Sequence, residues 1–296
     1  MSYLEKVNAY INLTRPYNAT PTLLAFSVGY IFANSQPITF DFFVGLAILL
    51  LVHSMVTVQN DVEDLEIDRS NHAHTALLNQ SVSVKNAKAF ALGMGGTVIC
   101  LAIISSSRVI HVVFATALII LSWLYNYKPF RLSQRPIASI FLLGLCYGAL
   151  PFLYGYLLGG GYIKVSVALL LITSGLFLQR ISLSIMKDYK DASGDKLHHK
   201  HTFYLTYGKK LTALISSLTV IMAYMLLIVF ICTVIDFSIG TLLMLLIIFS
   251  LAARNIIWRL SQLKTNSEKG LNTIFKRNLI GQNQFDAALL LCLILF

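Results

Sequence analysis

Residues 40–69 read FDFFVGLAILLLVHSMVTVQNDVEDLEIDR, and this stretch joins an apolar helix to an acidic end. Residues 40–58 are almost wholly apolar and long enough to cross the hydrocarbon core of a bilayer as one helix. The acidic end carries Asp61, Asp64 and Asp68. On a helix, offsets of three and seven residues confine side chains to an arc of roughly 60°. The pattern therefore predicts one stripe of three carboxylates where the span ends.

The same spacing of aspartates recurs in residues 188–196, which read DYKDASGDK. Here the three are Asp188, Asp191 and Asp195. Residues 60–69 and 188–196 together hold eight of the thirteen acidic residues of the chain. Stacked carboxylates repel one another and raise one another's pKa, which favours a bound divalent cation or cationic ligand. Carboxylates with open coordination positions are the usual way to hold Mg²⁺ on a substrate phosphate. The two stripes therefore predict a site for such a cation.

Apolar residues make up most of the rest of the chain. Of the 296 residues 56% are hydrophobic and 12% are charged, and the mean hydropathy is +0.72. These values exclude a soluble domain and predict an all-α polytopic membrane protein with a single domain over residues 1–296. Apolar runs bounded by charge, proline or asparagine predict nine membrane-spanning helices. They cover residues 19–34, 40–58, 86–105, 110–126, 137–158, 164–186, 210–232, 238–258 and 279–296.

The net charge of +10 is explained by membrane topology rather than by nucleic-acid binding. Lysine and arginine crowd the connections on one side of the predicted spans, whereas the opposite connections carry only Arg108 and Lys164. This asymmetry predicts that the N-terminus and both acidic segments are cytoplasmic and that the C-terminus is outside, in the cell membrane if the source is prokaryotic. The four cysteines stand singly in apolar runs, as packing residues do.

Polar side chains interrupt two of the predicted spans. Arg180 lies inside the sixth span, where a charge is costly unless it faces a polar cavity. The ninth span opens with unusually polar residues, which either cap a cavity or indicate that the helix begins later. These residues are Gln282, Asn283, Gln284 and Asp286.

Several short motifs follow one another in the order found in a known family. The acidic motifs read Asn60-Asp61-x-x-Asp64-x-x-x-Asp68-Arg69 and Lys187-Asp188-x-x-Asp191-x-x-Gly194-Asp195-Lys196. Together they resemble the UbiA superfamily of intramembrane prenyltransferases, and the resemblance covers nearly the whole chain. Further matching positions are Arg15-Pro16, Asn18, Ser83-Val84-Lys85, the run from Tyr125 to Lys128, Thr202 and Tyr207-Gly208.

The resemblance implies a helical bundle around a central cavity that is open to lipid on one side. It also implies that the acidic motifs hold Mg²⁺ against the diphosphate of an allylic isoprenoid, so that all six aspartates are metal ligands and catalytic residues. Metals and cationic side chains stabilise the negative charge that develops on a departing diphosphate. The residues expected to contact the diphosphate are Asn60, Arg69, Lys128, Lys187, Arg15 and Lys196, with Arg131 as a further cationic candidate.

The acceptor of the prenyl group is expected to be a membrane-soluble aromatic compound or glycerolipid. The KD-x-x-D-x-x-GDK form of the second motif looks more like the members that prenylate geranylgeranylglyceryl phosphate, homogentisate or chlorophyllide than like the 4-hydroxybenzoate enzymes. The resemblance thus implies a transferase that binds an isoprenoid diphosphate, an acceptor and the lipid bilayer.

Two positions depart from the family pattern. Thr75-Ala76 stands where many members have Arg-Pro, and a residue near Pro136 stands where many have Asn. Histidine is one candidate to replace a missing contact, and in that case activity falls as the pH rises through about 6.5. The HAH and HHKH clusters also leave a zinc site open. The histidines beyond the two motifs are His72, His74, His198, His199 and His201.

Three other functions remain open. A membrane terpene cyclase of the same superfamily would use the same metal site but would let an internal double bond attack the cation, with no acceptor. A CDP-alcohol phosphotransferase also has ordered aspartates, but its expected D-G-x-x-A-R run is absent from the sequence. A transporter or channel would carry acidic rings at the midplane of a pathway, whereas these aspartates lie at the ends of predicted spans.

Overall fold

A computed structural model describes residues 2–33, 37–71, 75–162, 166–189, 191–265 and 268–295, and every regular element in these ranges is a helix. The α-helices are α1 (Tyr3–Thr14), α2 (Thr20–Ala33), α3 (Phe40–Glu63), α4 (Leu65–Ser70), α5 (Val84–Ile104), α6 (Arg108–Asn126), α7 (Pro136–Gly144), α8 (Leu150–Leu158), α9 (Val167–Met186), α10 (Ala192–Leu197), α11 (Phe203–Val234), α12 (Ile239–Ser261) and α13 (Glu268–Leu295). A π-helical turn, Leu145–Ala149, joins α7 to α8. The predicted all-α class is confirmed.

Eight helical segments of the described chain are long and apolar enough to cross a membrane. They correspond to the second to ninth predicted spans, and the seventh and ninth begin earlier than predicted. The first predicted span corresponds to α2, which has only 14 residues and is about 21 Å long at the usual rise per residue. The eight segments are Phe40–Glu63, Val84–Ile104, Arg108–Asn126, Pro136–Leu158, Val167–Tyr189, Phe203–Val234, Ile239–Lys264 and Asn272–Leu295.

Hydroxyl side chains fix where several of these helices begin. Ser83, Ser166, Thr202 and Ser238 each accept a hydrogen bond from the backbone N–H three residues further on. Such a cap satisfies one of the donors that the first turn of a helix leaves unpaired. The apolar runs therefore start as helices at polar residues that the sequence places just before them.

Glycines allow α2 and α8 to cross in backbone contact. A methyl group at Gly29 would overlap the carbonyl of Phe152, and one at Gly155 would overlap the carbonyl of Phe26. Small residues at a crossing let transmembrane helices pack backbone to backbone. This crossing holds α2 and α8 together at the centre of the bundle.

The two largest clusters of the hydrophobic core share α2 and α8. One cluster joins these two helices to α3, α5 and α6, and the other joins them to α9, α11, α12 and α13. A cavity lined by α3, α6, α7, α9 and α13 lies between the two groups of helices. The predicted bundle around a central cavity is thereby confirmed.

Candidate functional site

The two acidic segments meet at one end of the bundle. The short helices that follow them, α4 and α10, pack against each other. The backbone N–H of Gly194 donates a hydrogen bond of 2.7 Å to Oδ1 of Asn71, and Ser70 Oγ lies 2.7 Å from Nε2 of His198. A side chain at position 194 would overlap that of Asn71, so the glycine of the second motif permits this contact. The carboxylates of both motifs are thereby placed side by side.

The middle aspartate of each motif bends the chain in the same way. Asp64 has φ −99° and ψ 13°, and Asp191 has φ −106° and ψ 7°. Each precedes a helix of six residues. The acidic stripe is therefore bent at its centre in both motifs, whereas the sequence predicts a straight one. Helical hydrogen bonds persist through the first bend, because Asp68 N donates to Asp64 O at 2.8 Å.

Asp61 is held by Arg15. The guanidinium Nη2 of Arg15 lies 2.9 and 2.8 Å from the two carboxylate oxygens of Asp61, which is 3% exposed. Arg15 follows the last residue of α1 in a left-handed conformation, with φ 45°, directly before Pro16. The chain therefore turns sharply at Arg15, and the turn brings a residue from before the first span onto the first acidic motif.

Asp64 is clamped by two cations. Arg131 donates to its Oδ1 at 2.8 Å, and Lys200 donates to its Oδ2 at 2.9 Å. The amide of Asn60 adds a longer hydrogen bond of 3.3 Å. Burial pushes the pKa of Asp64 upwards, but the charges of Lys200 and Arg131 outweigh it and hold the pKa below its usual value. Asp64 is therefore ionised throughout the physiological range.

Asp68 and Asp195 have the opposite electrostatic environment. Burial raises the pKa of Asp195 to about 7, with a further rise from neighbouring aspartates, although the nearby Lys200 acts against it. Burial and the charges of Asp61, Asp64 and Asp191 likewise raise the pKa of Asp68 to about 7. These two carboxyls carry an electrostatic strain that a bound cation would relieve.

The donor set fits Mg²⁺. Both oxygens of Asp195 are buried and have no hydrogen-bond partner among the residues that the structure describes. Hard carboxylate oxygens are the ligands that Mg²⁺ prefers, and metal binding would replace protons on Asp68 and Asp195. In the described ranges no three histidine, cysteine or acidic side chains already converge closely enough to hold a metal ion. The six aspartates therefore stay predicted ligands, with Asp195 as the member whose surroundings most need a cation.

Three of the predicted diphosphate contacts surround one end of the central cavity. Arg15, Asn60 and Lys187 all line it. Lys187 donates to the hydroxyl of Tyr125 at 2.5 Å, and its Nζ lies 3.8 Å from Oδ1 of Asp188. A phosphate at this end of the cavity would meet two cations and an amide donor.

The other three predicted contacts do not line this cavity. Arg69 pairs with Glu66 at 3.0 Å, and these two side chains are 64% and 67% exposed. Lys128 and Lys196 are exposed as well. Their role as diphosphate ligands stays a prediction.

Sequence reasoning misses Lys200. Its Nζ joins the two motifs, since it lies 2.9 Å from Asp64 and 3.7 Å from Asp195. A hydrogen bond of 2.8 Å from Lys200 N to the Asp195 carbonyl closes the turn that brings it back. The only signal in the sequence is its place just after the second motif, in a run of lysines and histidines where nothing singles it out.

The cavity has a polar chamber and an apolar branch. The polar chamber lies next to the acidic motifs. The branch lies between α3, α6 and α7, and mostly leucine and valine side chains line it. Five residues line both spaces and mark their junction: His53, Val56, Tyr125, Leu143 and Tyr147. Such a shape suits a ligand with a charged head and a hydrocarbon tail.

Arg180 lies on α9, seven residues before Lys187, and lines the polar chamber. Its guanidinium pairs with Asp286 at 2.6 and 3.2 Å and also donates to the carbonyls of Pro21 and Tyr147. Of the polar residues of the ninth span, Gln282 lines this cavity and Asp286 neutralises Arg180, whereas Gln284 accepts a hydrogen bond from Arg254. The alternative of a later helix start is wrong, since α13 begins at Glu268.

The loop histidines have mixed placements. His72 and His74 lie outside the described residues. His198 contacts Ser70, and the side chains of His198, His199 and His201 are exposed. None of these three lines the cavity, and a histidine contact to the diphosphate stays a prediction.

An all-helical membrane bundle with paired acidic motifs above a cavity of this shape defines a class of enzyme that acts on lipids with charged head groups. Comparison with known sequences makes the class specific. The profile of the UbiA prenyltransferase family matches residues 22–280, and the chain therefore belongs to that family. It is an integral-membrane prenyltransferase, as the motifs predict.

Named relatives agree with this assignment. The chain is 29% identical over 217 residues to a digeranylgeranylglyceryl phosphate synthase of Methanoculleus marisnigri, and the match covers 70% of this chain and 71% of that protein. It is 27% identical over 212 residues to the synthase of the same name from Sulfolobus acidocaldarius, covering 72% and 74%. These relatives give no support to the terpene-cyclase alternative.

Two solved structures share the fold. A structure described for digeranylgeranylglyceryl phosphate synthase in membranes has a TM-score of 0.67 and 21% identity, covering 99% of this chain and 100% of that one. A UbiA homologue from Archaeoglobus fulgidus bound to GPP and Mg²⁺ has a TM-score of 0.70 and 16% identity, covering 97% and 99%.

Proposed function

We propose that this protein transfers the prenyl group of an allylic isoprenoid diphosphate to the hydroxyl of a glycerophosphate-type acceptor, with Mg²⁺ as its cofactor. Two named relatives are synthases of digeranylgeranylglyceryl phosphate, and a structure of the same fold binds GPP and Mg²⁺. The form of the second motif favours the same acceptor class over 4-hydroxybenzoate.

The observation that carries the proposal is the meeting of the two acidic motifs above the polar chamber of the cavity. A diphosphate head held there directs its prenyl tail towards the junction with the apolar branch, because the charged and hydrocarbon ends of the substrate need different surroundings. The tail is then shielded from water while the head stays near the carboxylates.

Each group of side chains has a separate task in the reaction. Asp61, Asp64, Asp68, Asp188, Asp191 and Asp195 are the proposed ligands of Mg²⁺, which supplies charge stabilisation to the leaving diphosphate when it is bound. Arg15, Lys187 and Asn60 orient the diphosphate through hydrogen bonds, with Arg131 and Lys200 close by on Asp64. The bond between the first prenyl carbon and the diphosphate oxygen breaks, and negative charge grows where these cations lie.

The site is proposed to face the cytoplasm, with the N-terminus on the same side and the C-terminus outside. The support is the crowding of lysine and arginine on the connections that carry the acidic motifs. Soluble Mg²⁺ and a diphosphate head would reach the carboxylates from that compartment.

Purified protein in detergent with Mg²⁺ provides the test. We expect a prenylated product from geranylgeranyl or geranyl diphosphate with a glycerophosphate lipid acceptor, detected by mass spectrometry, and little product with 4-hydroxybenzoate. Transfer that continues undiminished in EDTA, or transfer only to aromatic acceptors, would contradict the proposal.

Variants at the acidic motifs separate a metal site from general charge. Asp195→Asn keeps the size of the side chain but removes its charge. We expect product formation to fall at least about 100-fold, because loss of even an indirect metal contact lowers metal affinity or activity by up to about that factor. Glu66→Gln is the matched control, because it neutralises an exposed acid of the first motif that pairs with Arg69. Equal activity of the two variants would contradict the assignment of Asp195.

A further inference from the structure

His53 is a buried polar side chain at the junction of the polar chamber and the apolar branch. It is 6% exposed, and it lines both spaces. Neither of its ring nitrogens has a hydrogen-bond partner within 3.5 Å among the described residues, and the backbone of Arg15 makes at most a weak interaction with one of them. Buried polar atoms are almost always paired in folded proteins, so such an imidazole at a cavity wall needs an explanation. A ligand group that hydrogen-bonds there would provide one.

The position of His53 on α3 matches the geometry of the proposed reaction. It precedes Asn60 by seven residues, which is two turns of helix and about 10 Å along the axis, on the same face. A diphosphate held beside Asn60 has its first prenyl carbon a few ångströms further into the cavity. The oxygen that attacks this carbon must approach from the side away from the diphosphate. His53, about 10 Å from Asn60 along the helix axis, lines the cavity wall in that direction.

Neighbouring side chains are poorly suited to bind a hydroxyl and accept its proton. The Tyr125 hydroxyl already accepts a hydrogen bond from Lys187, and Arg180 is paired with Asp286. The hydroxyl of Thr22 in the apolar branch makes no hydrogen bond to a described residue, but a hydroxyl does not take up a proton near neutral pH. Of the described residues that line both spaces, His53 is the one whose side chain has a ring nitrogen that can accept a hydrogen bond and a proton.

We infer that His53 binds the attacking hydroxyl of the acceptor and takes its proton. This inference rests on the proposed function and names the catalytic base for it. The bond between prenyl carbon and diphosphate oxygen breaks, and its electron pair stays on the diphosphate. The acceptor oxygen forms the new bond to that carbon, and its proton moves to the unprotonated nitrogen of His53, from which it later passes to water. The ligand class is an alcohol, such as a glycerophosphate lipid with a free hydroxyl.

The reaction has two steps, ionisation of the prenyl diphosphate and capture of the prenyl group by the acceptor, and they depend on different residues. Ionisation of the prenyl diphosphate depends on the acidic motifs and their cations, whereas capture by the acceptor depends on His53. A variant without this imidazole should therefore still ionise its substrate, and water should then capture more of the prenyl group. The product ratio of prenylated acceptor to free prenyl alcohol reports on His53 independently of folding.

His53→Gln and His53→Leu are the test variants, assayed with geranylgeranyl diphosphate, Mg²⁺ and a glycerophosphate lipid. We expect transfer to fall by about 100-fold or more, as for loss of a general base. Prenyl alcohol release without acceptor, and the KM for the diphosphate, should stay within about twofold of the wild type because the acidic motifs are unchanged. Added imidazole should restore part of the transfer in His53→Ala and leave alcohol release unchanged.

His111→Gln is the matched control, because His111 is a second buried histidine that lines neither the polar chamber nor the apolar branch and hydrogen-bonds to the Tyr154 hydroxyl. Its product ratio should equal that of the wild type. An unchanged ratio in both His53 variants, or an equal fall of transfer and alcohol release, would overturn the inference. Failure of the wild type to prenylate any glycerophosphate acceptor would instead contradict the proposed function.

Discussion

Removing the carboxylate of Asp286 tests how strongly the buried ion pair with Arg180 holds the bundle together. Asp286 accepts two hydrogen bonds from the guanidinium, at 2.6 and 3.2 Å, and the two side chains are 0% and 2% exposed. Charge-assisted hydrogen bonds contribute about 1.5–3 kcal/mol each, which gives about 3–6 kcal/mol for the pair of bonds. Removal of one partner of a buried ion pair costs about 3–5 kcal/mol. Because Arg180 keeps its bonds to two backbone carbonyls, we expect Asp286→Ala to cost about 3–5 kcal/mol.

Thermal unfolding in detergent measures this loss. At about 2–4 °C per kcal/mol, the Tm of Asp286→Ala should fall by about 6–20 °C. The double variant Arg180→Leu with Asp286→Leu should recover most of the loss, because replacing a buried pair by apolar side chains is often neutral. Asp236→Ala is the control, since Asp236 is exposed and its removal should cost less than about 0.5 kcal/mol. The reasoning is refuted if Asp286→Ala resembles this control, or if the double variant is as unstable as the single one.

Two further predictions concern pH and helix packing. The pKa of Asp68 and Asp195 in the folded protein is about 7, against an ordinary value of 3.8, so the metal-free protein should lose stability as the pH rises from about 4 to 7. The pKa of Asp64 is lowered instead, so its contribution to stability is lost only at lower pH. Mg²⁺ should bind more tightly at pH 8 than at pH 6 and release protons, which calorimetry in buffers of different ionisation enthalpy detects; proton-free binding would contradict it. Gly155→Ala places a methyl group on a backbone carbonyl of α2 and should lower stability by about 1–3 kcal/mol or more. Gly93→Ala is the control, because its methyl group meets no described atom within 4 Å and should be neutral or stabilising in thermal unfolding. Equal Tm values of the two variants would be evidence against the crossing of α2 and α8.

The features that follow from short-range periodicity could be predicted from the sequence. Apolar run length predicts the spans, and the spacing of aspartates predicts a stripe of carboxylates where two of them end. The distribution of lysine and arginine predicts that both acidic ends share one side of the bundle. The bends at Asp64 and Asp191 could not be predicted, because the residues around each bend continue a helical pattern in the sequence. The early start of α13 could not be predicted either, because polar residues such as Asp286, which pairs with Arg180, interrupt the apolar run.

Contacts between distant segments of the chain were harder to predict. Arg15 reaches Asp61 because the chain turns before Pro16, and Lys200 reaches Asp64 from 136 residues away because α4 packs on α10. Neither pairing leaves a mark in local composition. The position of His53 could not be predicted either. An isolated histidine in an apolar run gives no indication that the fold places it where the polar chamber meets the apolar branch.

The shortness of α2 decides how deeply the reaction lies in the membrane. A helix of about 21 Å falls roughly 9 Å short of a hydrocarbon layer of about 30 Å. The polypeptide before it, including Arg15 and Asn18, forms a section of the cavity wall. We therefore expect this polar part of the cavity to lie below the level of the lipid head groups. A lipid acceptor can bring its hydroxyl to this depth while its own chains stay among those of the bilayer.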